Sequence, residues 1–334
     1  MMPQEVGKKY KELLRQYIDR QNEKDLYFGQ QFIRKFIEKN IPPEDVISIH
    51  KTALMESVPD MPDSLNHSFD FLIEMMIHYG LALREHQSLI RKQEELQMEM
   101  NVALKVQDTL LKTEVPSVEG LDIGLVTESA KQMSGDYVYF LCDGNDKIGV
   151  AVADVMGKGI PAALCMTMVK FGLDSLQNDN TSPQNALAAV NRIVEKSVDD
   201  SMFISMFYGK YNMQDFSFSY SSAGHEPALL YKSSENIFKE LGAKGLLLGV
   251  LPDFKYEERT VQLEKGDFLV IMTDGVTEAR TETDFIDEAY IQDLLEKAKG
   301  ECAQTIAEKI YEELASIQNY RLHDDFTIVV LKRD

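Results

Sequence analysis

Four aspartates stand where apolar, strand-like segments of the sequence begin or end. Asp154 and Asp274 follow such segments, whereas Asp136 and Asp324 precede them. Strand ends that are distant in sequence can meet at one edge of a fold, and carboxylates without nearby cysteine favour the hard cations Mg²⁺ and Mn²⁺. Two such ions about 4 Å apart would activate a bridging water and bind a phosphoryl oxygen. Taken singly, each aspartate is more typical of an ordinary turn.

The segment around Asp154 predicts a strand, a turn and a helix in succession. The residues before it are apolar and suit a buried strand. Gly157 and Gly159 let the backbone turn sharply and approach a ligand closely, and Pro161 suits the first turn of a helix. Lys158, between the two glycines, would either attract a phosphate as a point charge or be an ordinary surface lysine.

Two histidines near these segments have two interpretations each. His225, followed by a Glu-Pro pair, would be either a structural histidine of a turn or a group close to the substrate. His323 precedes Asp324 and would either orient a metal ligand through a hydrogen bond or face the solvent. The residues themselves leave these alternatives open.

The composition predicts a folded protein with a strongly acidic C-terminal part. Of the net charge of −20, residues 113–334 contribute −17, because they carry 20 basic and 37 acidic side chains. Such a field repels nucleic-acid backbones and anionic lipid, so we expect no nucleic acid and no membrane as partners. No segment approaches the roughly 18 apolar residues of a membrane span, and no signal peptide is recognisable. Cys142, Cys165 and Cys302 lack disulfide or zinc spacing, which indicates a cytoplasmic protein.

The elements that must position the aspartates lie beyond a Pro- and Gly-containing segment at 114–120. Short apolar runs predict strands at 121–126, 137–142, 147–153, 202–211, 216–221, 228–231, 267–272 and 326–331. Helical patterns occur at about 160–177, 183–198, 289–298 and 303–317. Strands, a central pair of helices, more strands and a final pair of helices indicate an α+β fold.

Residues 5–84 are predicted to form an all-α four-helix bundle, because apolar residues recur there at steps of three and four. The fourth helix, from Leu65 to about Leu83, is apolar on nearly every side. A small domain with such a helix favours a second partner surface, most simply that of a homodimer. The alternative is a tightly packed monomeric core.

Residues 85–112 contain no Gly or Pro and predict a linker helix with an incomplete heptad pattern. The a positions are Ala82, Leu89, Leu96, Ala103 and Leu110, and the d positions are His86, Gln93, Met100 and Gln107. Polar d residues weaken a coiled coil, so the helix would pair weakly or remain a solvated connector. A weakly paired helix between two domains also suits a switch. The predicted domains are therefore 1–84, helical, for dimerisation and activator binding; 85–112, the linker helix; and 113–334.

Five landmarks occur in order along the C-terminal part: Met133-Ser-Gly-Asp136, Ala153-Asp-Val-Met-Gly-Lys-Gly-Ile-Pro-Ala-Ala163, Ser222-Ala-Gly-His-Glu-Pro227, Thr273-Asp-Gly275 and His323-Asp-Asp-Phe-Thr327. Together they closely resemble the SpoIIE-like branch of the metal-dependent protein phosphatases, the PPM family. With its helical N-terminus, the whole chain resembles the stress-pathway phosphatases of Bacillus-type bacteria. The resemblance implies a phosphatase domain at 113–334 with an αββα sandwich of two antiparallel sheets and a metal site at one end.

The resemblance also implies roles for individual residues. Asp154 would bridge two Mn²⁺ or Mg²⁺ ions and activate the attacking water, and the carbonyl of Val155 would bind one ion. Asp274 and Asp324 would hold the other ion, and Asp136 would complete the first, directly or through water. Asp325 occupies a place where family members vary, so it ranks below Asp324 as a ligand, as do Gly157, Lys158, His225 and His323.

The implied substrate is a phosphoserine protein, an RsbV-like anti-anti-sigma factor that controls the general stress sigma factor. The implied activator is an RsbT-like switch protein that binds the N-terminal domain. A water would attack the phosphate in line without a covalent phosphoenzyme, and the absence of a Cys-x5-Arg phosphatase signature agrees with this. The competing interpretations are a non-catalytic phosphoprotein-binding scaffold, a pseudophosphatase, and a hydrolase of small phosphoesters.

Overall fold

The computed structural model describes residues 3–38, 41–58, 60–130, 134–143, 146–157, 159–176, 181–197, 202–280 and 286–334. The chain divides into two compact units, Met1–Met100 and Asn101–Asp334. In the described part of the chain, no helix is both long and apolar enough to cross a membrane.

The first unit is helical, as the periodicity predicts. Its helices are α1 (Pro3–Arg20), α2 (Glu23–Glu38), α3 (Pro43–Ser57) and the first part of α4 (Asp63–Leu110). Helix α4 is 48 residues long and continuous, so the predicted fourth helix and the predicted linker helix are one element. The absence of Gly and Pro between Gly80 and Pro116 explains why the helix continues through the change in composition.

The core of the first unit is a small aromatic cluster. Tyr10 and Phe36 pack against Phe32, and the hydroxyl of Tyr10 hydrogen-bonds Nδ1 of His50 at 2.8 Å. Among its described residues, only Phe36 and Ala53 are fully buried apolar side chains. Large apolar groups remain exposed on α4, including Phe71, which is 68% exposed. This unit therefore leaves large apolar side chains in contact with solvent, a feature typical of surfaces that bind a partner.

The second unit contains two five-stranded antiparallel sheets. The strands are β1 (Leu121–Glu128), β2 (Asp136–Asp143), β3 (Lys147–Val155), β4 (Ile204–Asn212), β5 (Ser217–Ala223), β6 (Ala228–Lys232), β7 (Ile237–Leu241), β8 (Arg259–Gln262), β9 (Phe268–Met272) and β10 (Phe326–Arg333). Sheet A has the order β1-β10-β9-β6-β7 and sheet B the order β2-β3-β4-β5-β8.

The two sheets pack face to face and each is covered by helices. The apolar layer between the sheets includes Phe207, Phe218 and Leu269. Helices α5 (Ile160–Asp174) and α6 (Pro183–Ser197) cover sheet B, and α8 (Glu288–Ala298) and α9 (Ala303–Ile317) cover sheet A. A four-residue helix, α7 (Asp274–Thr277), follows β9. The predicted αββα sandwich is confirmed.

All eight predicted strands and four predicted helices of this unit are present. Sequence reasoning missed β7 and β8, which form one outer edge of each sheet. Edge strands carry polar groups because one side faces solvent, and here Lys239, Glu240 and Arg259 are exposed. The resulting sequences lack the apolar runs by which the other strands were recognised.

Candidate metal centre

The pair Asp136 and Asp154 forms the centre of the candidate site. Asp136 begins β2 and Asp154 lies one residue before the end of β3, and the antiparallel register sets the two directly opposite each other. On its other side Asp154 is paired with Ser205 of β4. Opposed residues of antiparallel strands lie close together, so the fold unites two carboxylates that are 18 positions apart in sequence (154 minus 136).

Gly135 faces three oxygens of the turn that follows β3. A Cβ atom at this glycine would lie 3.1 Å from the Gly157 carbonyl, 3.2 Å from the Val155 carbonyl and 3.3 Å from Oδ1 of Asp154. The turn is possible because Gly157 has a φ of +129°, which a residue with a side chain rarely adopts. Three oxygens therefore converge on a space that the missing side chain leaves open; we refer to it as the oxygen cradle. Lys158 lies outside the described residues, as does Met133.

Residues that adjoin the strands of sheet A also lie at this site. The hydroxyl of Thr273, directly after β9, donates a hydrogen bond of 2.7 Å to Oδ2 of Asp136. Asp274 is the first residue of α7 and is half-buried. Gly275 approaches the backbone carbonyl of Asp325 so closely that a side chain would have no room. The segments that carry Asp274 and Asp325 are thus in contact, and one of them touches Asp136.

Asp324 and Asp325 differ in their surroundings. Asp325 is 3% exposed; its Oδ1 accepts from the amide of Ala130 at 2.8 Å and its Oδ2 from the amide of Gly135 at 2.6 Å. Asp324 is exposed, and its Oδ1 accepts from the amide of Asp325 at 2.9 Å. Asp325 therefore holds both ends of the segment 130–135, whereas Asp324 lies at the solvent side of the strand end.

The electrostatics of Asp136 are unusual for an aspartate. Burial raises the pKa of this carboxyl well above its ordinary value, and the charges of Asp154 and Asp325 raise it further. Hydrogen bonds from the hydroxyls of Thr327 and Thr273 act in the opposite direction. On the other side of the site, partial burial and the charge of Asp274 raise the pKa of Glu226. The site concentrates negative charge that a bound cation would neutralise.

The two histidines occupy different environments. His225 is buried, its Nδ1 lies 2.7 Å from the hydroxyl of Ser205, and burial lowers its pKa to about 4. It is therefore neutral near pH 7 and contacts the residue that is paired with Asp154. His323 is exposed. Neither position contradicts the alternatives that the sequence left open.

The donor chemistry fits a hard divalent cation. The oxygen cradle and the Asp136 carboxyl supply only oxygen atoms, which Mg²⁺ and Mn²⁺ prefer. Among the described residues, however, no group of three or more acidic, histidine or cysteine side chains lies close enough to enclose an ion. Part of the donor set is made of backbone carbonyls, and the remaining predicted carboxylates, Asp274 and Asp324, come from adjoining segments of sheet A.

A cavity of about 340 Å³ adjoins Asp136. Its wall combines the last turn of α4 with the facing parts of β1 and β2, and includes Gln107, Lys112, Thr127 and Ser134. The side-chain amide of Gln107 donates to the carbonyl of Ser134 at 3.3 Å. The cavity offers hydroxyl, amide and ammonium groups beside the Asp136 carboxyl.

Sequence reasoning missed three contributors to this geometry. Thr273 and Thr327 were noted only as members of landmarks, and Gln107 only as a polar heptad position. Thr273 and Thr327 lie close in sequence to predicted ligands, and Gln107 lies near the end of the helix that leads into the domain. These positions indicate a role at the site only weakly. Their contacts depend on the packing of two sheets and could not be read from spacing.

Two family models match the chain. The model described as "Stage II sporulation protein E (SpoIIE)" matches residues 144–334. The model described as "Phosphoserine phosphatase RsbU, N-terminal domain" matches residues 8–82. The match to the SpoIIE model covers more than half of the chain.

Individual proteins agree with these models. The chain is 49% identical over 328 residues to "Phosphoserine phosphatase RsbU" of Bacillus subtilis (strain 168), covering 98% of both chains. It is 25% identical over 229 residues to "Phosphoserine phosphatase RsbP" of the same organism, covering 67% of this chain and 54% of that protein.

Among solved structures, the SiaA PP2C domain of Pseudomonas aeruginosa superposes with a TM-score of 0.62 at 18% identity, covering 73% of this chain and 99% of that one. The PP2C domain of SpoIIE from Bacillus subtilis, with a fragment of its regulatory domain, gives a TM-score of 0.56 at 22% identity, covering 65% and 64%. At these identities the two structures show the shared fold. The structure of RsbX, with a TM-score of 0.51 at 21% identity over 66% of this chain and 99% of that one, was solved in complex with magnesium.

Proposed function

The chain belongs to the SpoIIE family of PP2C-type phosphatases and, within it, to the RsbU-type phosphoserine phosphatases, and we propose that its substrate is a phosphorylated anti-anti-sigma factor of the RsbV type. Dephosphorylation would release that factor to activate the general stress sigma factor, in the cytoplasm. The 49% identity over nearly the full length of both chains supports this substrate class.

The observation that carries the reaction is the oxygen cradle beside the pair Asp136 and Asp154. We propose that Asp154, Val155 and Asp136 hold one divalent ion and that Asp154, Asp274 and Asp324 hold a second. Such ions, Mn²⁺ or Mg²⁺, polarise a phosphoryl oxygen and lower the pKa of water when they are bound.

The residues of the chain prepare this site in three ways. Gly135 leaves the cradle open, Asp325 accepts from the amide of Gly135 directly before Asp136, and Thr273 donates a hydrogen bond to the Asp136 carboxyl. The charge of −17 carried by residues 113–334, with 20 basic and 37 acidic groups, would repel a phosphate dianion. Binding of the substrate phosphate therefore depends on cations held at this end of the domain.

Replacement of Asp154 tests the proposal. The Asp154→Asn variant should lose at least about 1,000-fold in Mn²⁺-dependent release of phosphate from a phosphoserine RsbV-type protein, because it removes the carboxylate shared by both ions. Circular dichroism should show an unchanged fold. Asp215→Asn is the matched control, because Asp215 lies in the exposed turn between β4 and β5, at the end of β4 opposite to Ser205 and Asp154. Full activity of Asp154→Asn, or of the wild type in EDTA, would refute the assignment.

A parallel assay distinguishes the competing functions. A hydrolase of small phosphoesters would turn over p-nitrophenyl phosphate at least as efficiently as the phosphoserine protein. A scaffold would bind the phosphoprotein without releasing phosphate. The proposed enzyme should favour the protein substrate in kcat/KM.

We further propose that the first unit forms a homodimer and binds an RsbT-like activator. The exposed apolar groups of α2 and α4, among them Ile37 and Phe71, supply the required surface. Leu89 and Leu96 of the heptad pattern are each 61% exposed, which suits pairing with a second helix. Analytical ultracentrifugation of the full-length chain with and without the activator tests this directly; a monomer under both conditions would contradict it.

Firmer pairing of the linker would then act on α5 and improve the binding of metal at Asp154. The contact exists within the second unit: Lys170 of α5 donates to the carbonyl of Leu110, at the end of α4, at 2.7 Å. The activator should therefore lower the Mn²⁺ concentration for half-maximal activity of the full-length enzyme. An unchanged Mn²⁺ requirement would contradict this coupling.

A further inference from the structure

The carboxyl group of Asp136 lies close to two threonines from segments of the opposite layer. Asp136 belongs to sheet B. Thr273 directly follows β9 and Thr327 lies in β10, and these two strands belong to sheet A. Thr273 donates to Oδ2 of Asp136 at 2.7 Å, and the hydroxyl of Thr327 acts on the same carboxyl by lowering its pKa. Both threonines are completely buried.

The arrangement of donors and acceptors fixes the direction of these bonds. The Thr273 hydroxyl accepts from the amide of Thr327 at 3.1 Å, so its single proton is available for Asp136. The hydroxyls of Thr327 and Thr127 lie 3.1 Å apart. Because a hydroxyl has only one proton to donate, Thr127 must be the donor in that pair when Thr327 donates to Asp136. The Thr273 hydroxyl therefore directs its proton at the carboxylate, and the Thr327 hydroxyl is free to do the same when Thr127 donates to it.

These bonds join the two halves of the proposed ligand set. Asp136 and Asp154 come from sheet B, and Asp274 and Asp324 from segments that adjoin sheet A. Thr273 is the neighbour of Asp274 in sequence, and Thr327 is the second residue of β10, the strand that follows Asp324 and Asp325. A bond from either threonine to Asp136 thus constrains the separation between the ligands of one sheet and those of the other.

We propose that Thr273 and Thr327 are positioning residues that orient the Asp136 carboxylate and set the spacing between the metal ligands of the two sheets. This inference rests on the proposed function, in which Asp136 holds a divalent ion. Hydrogen-bond partners of metal ligands typically affect metal affinity 10- to 100-fold. The alternative is a purely structural role, in which the hydroxyls only satisfy buried polar groups.

The two roles predict different results for valine variants, which keep the shape of threonine without its hydroxyl. Thr327→Val and Thr273→Val should each weaken Mn²⁺ binding by the full-length protein about 10-fold or more, measured by isothermal titration calorimetry. Thr273→Val also leaves the Thr327 amide without its acceptor, so it should lose more stability than Thr327→Val. Thr273→Ser and Thr327→Ser should retain the wild-type affinity, because the hydroxyl is conserved.

Thr127→Val is the matched control. It removes a hydroxyl from the same chain of hydrogen bonds but not one that contacts Asp136, so Mn²⁺ affinity should change less than about 3-fold. In enzyme assays the half-saturating Mn²⁺ concentration should rise for Thr327→Val, while kcat at saturating Mn²⁺ stays within about 3-fold of the wild type.

Several outcomes would overturn the inference. Valine variants that are less stable in EDTA but bind Mn²⁺ like the wild type would establish the structural role. An equal loss of affinity in Thr127→Val would show that the effect is not specific to Asp136. If Thr273→Val does not fold, Thr327→Val and the serine variants decide the question. Failure of the proposed function is distinguishable, because the wild type itself would then show no Mn²⁺-dependent activity.

Discussion

Two buried aspartates, Asp136 and Asp267, lie in different places of the same sandwich and have opposite electrostatic properties. Asp267 is completely buried, next to the start of β9, and its Oδ2 forms an ion pair with Nζ of Lys232 at 2.6 Å. Its oxygens also accept from the amides of Ser233 and Glu264, each at 2.8 Å. Burial alone would raise the pKa of Asp267, but Lys232 and these amides outweigh it and hold the pKa below its ordinary value.

Asp136 is buried beside other carboxylates instead of a lysine. Its pKa is raised by burial and by Asp154 and Asp325, and hydroxyl donors compensate only in part. A buried charge with a full set of partners contributes to the structure, whereas one left with like charges costs stability unless a cation binds. The comparison therefore separates a carboxylate with a complete set of partners, Asp267, from one that a bound cation would stabilise, Asp136.

The largest effect is expected at the structural carboxylate. Asp267→Asn leaves the ammonium of Lys232 without its buried partner, which should lower the free energy of unfolding by about 3 kcal/mol or more. Urea denaturation in EDTA measures this. The control is Glu264→Gln: Glu264 lies 3.6 Å from the same lysine but is 59% exposed, so its loss should cost less than about 1 kcal/mol. Equal losses in the two variants would invalidate the distinction.

The second prediction concerns Asp136, whose replacement should reduce activity without reducing stability. Asp136→Asn should reduce Mn²⁺-dependent activity about 10- to 100-fold, while the free energy of unfolding in EDTA is equal to or above that of the wild type, because an uncompensated charge is removed. Phosphate release and urea denaturation on the same preparation measure both quantities. An Asp136→Asn variant that lost about 3 kcal/mol of stability, as expected for Asp267→Asn, would show that Asp136 is structural as well.

A smaller effect is expected when the oxygen cradle is filled. Gly135→Ala introduces a Cβ at 3.1–3.3 Å from three oxygens, and the required displacement should lower kcat/KM roughly 10-fold, about 1.4 kcal/mol. Gly242→Ala is the matched control, since nothing lies within 4 Å of its added Cβ. If both variants keep wild-type kcat/KM, the cradle tolerates a side chain and its proposed role is wrong.

The smallest effect is the dependence of stability on pH at Asp267. Because its folded-state pKa lies below the ordinary value of 3.8, its contribution is fully present above that value and is lost as the pH falls through the folded-state pKa. The stability difference between the wild type and Asp267→Asn, measured in urea from pH 7 to pH 3, should therefore be constant down to about pH 4 and then decrease. A difference that grew on acidification would contradict the depressed pKa.

The sandwich could be predicted to a large extent because its central strands are buried on both faces. Apolar runs such as Phe268–Met272 predict buried strands in a chain of this composition. The edge strands β7 and β8 could not be recognised, since exposed polar residues obscure their pattern. The continuity of α4 was missed for a related reason: a change in amphipathic pattern suggested a boundary where nothing interrupts the backbone hydrogen bonds.

The site was predicted unevenly. Asp136 and Asp154, two of the four strand-end aspartates, lie opposite each other in the structure, while the ligand roles of Asp136, Asp154, Val155, Asp274 and Asp324 remain proposals. Asp325 was considered as a lesser ligand, and the structure shows that both of its oxygens accept backbone amides. Sequence spacing does not indicate that the Asp325 carboxylate accepts a hydrogen bond from the amide of Ala130.

By itself, the sequence determined where the strands and helices of the sandwich would form and which aspartates would stand at their ends, because burial and backbone turns leave local patterns of apolar residues, glycine and proline. Only the tertiary structure decided that the carbonyls of Val155 and Gly157 converge on the space beside Gly135 and that Thr273 of one sheet holds Asp136 of the other. The physical reason is range: propensity and periodicity act over a few residues, whereas the spacing of ligands depends on how two sheets pack across their common core.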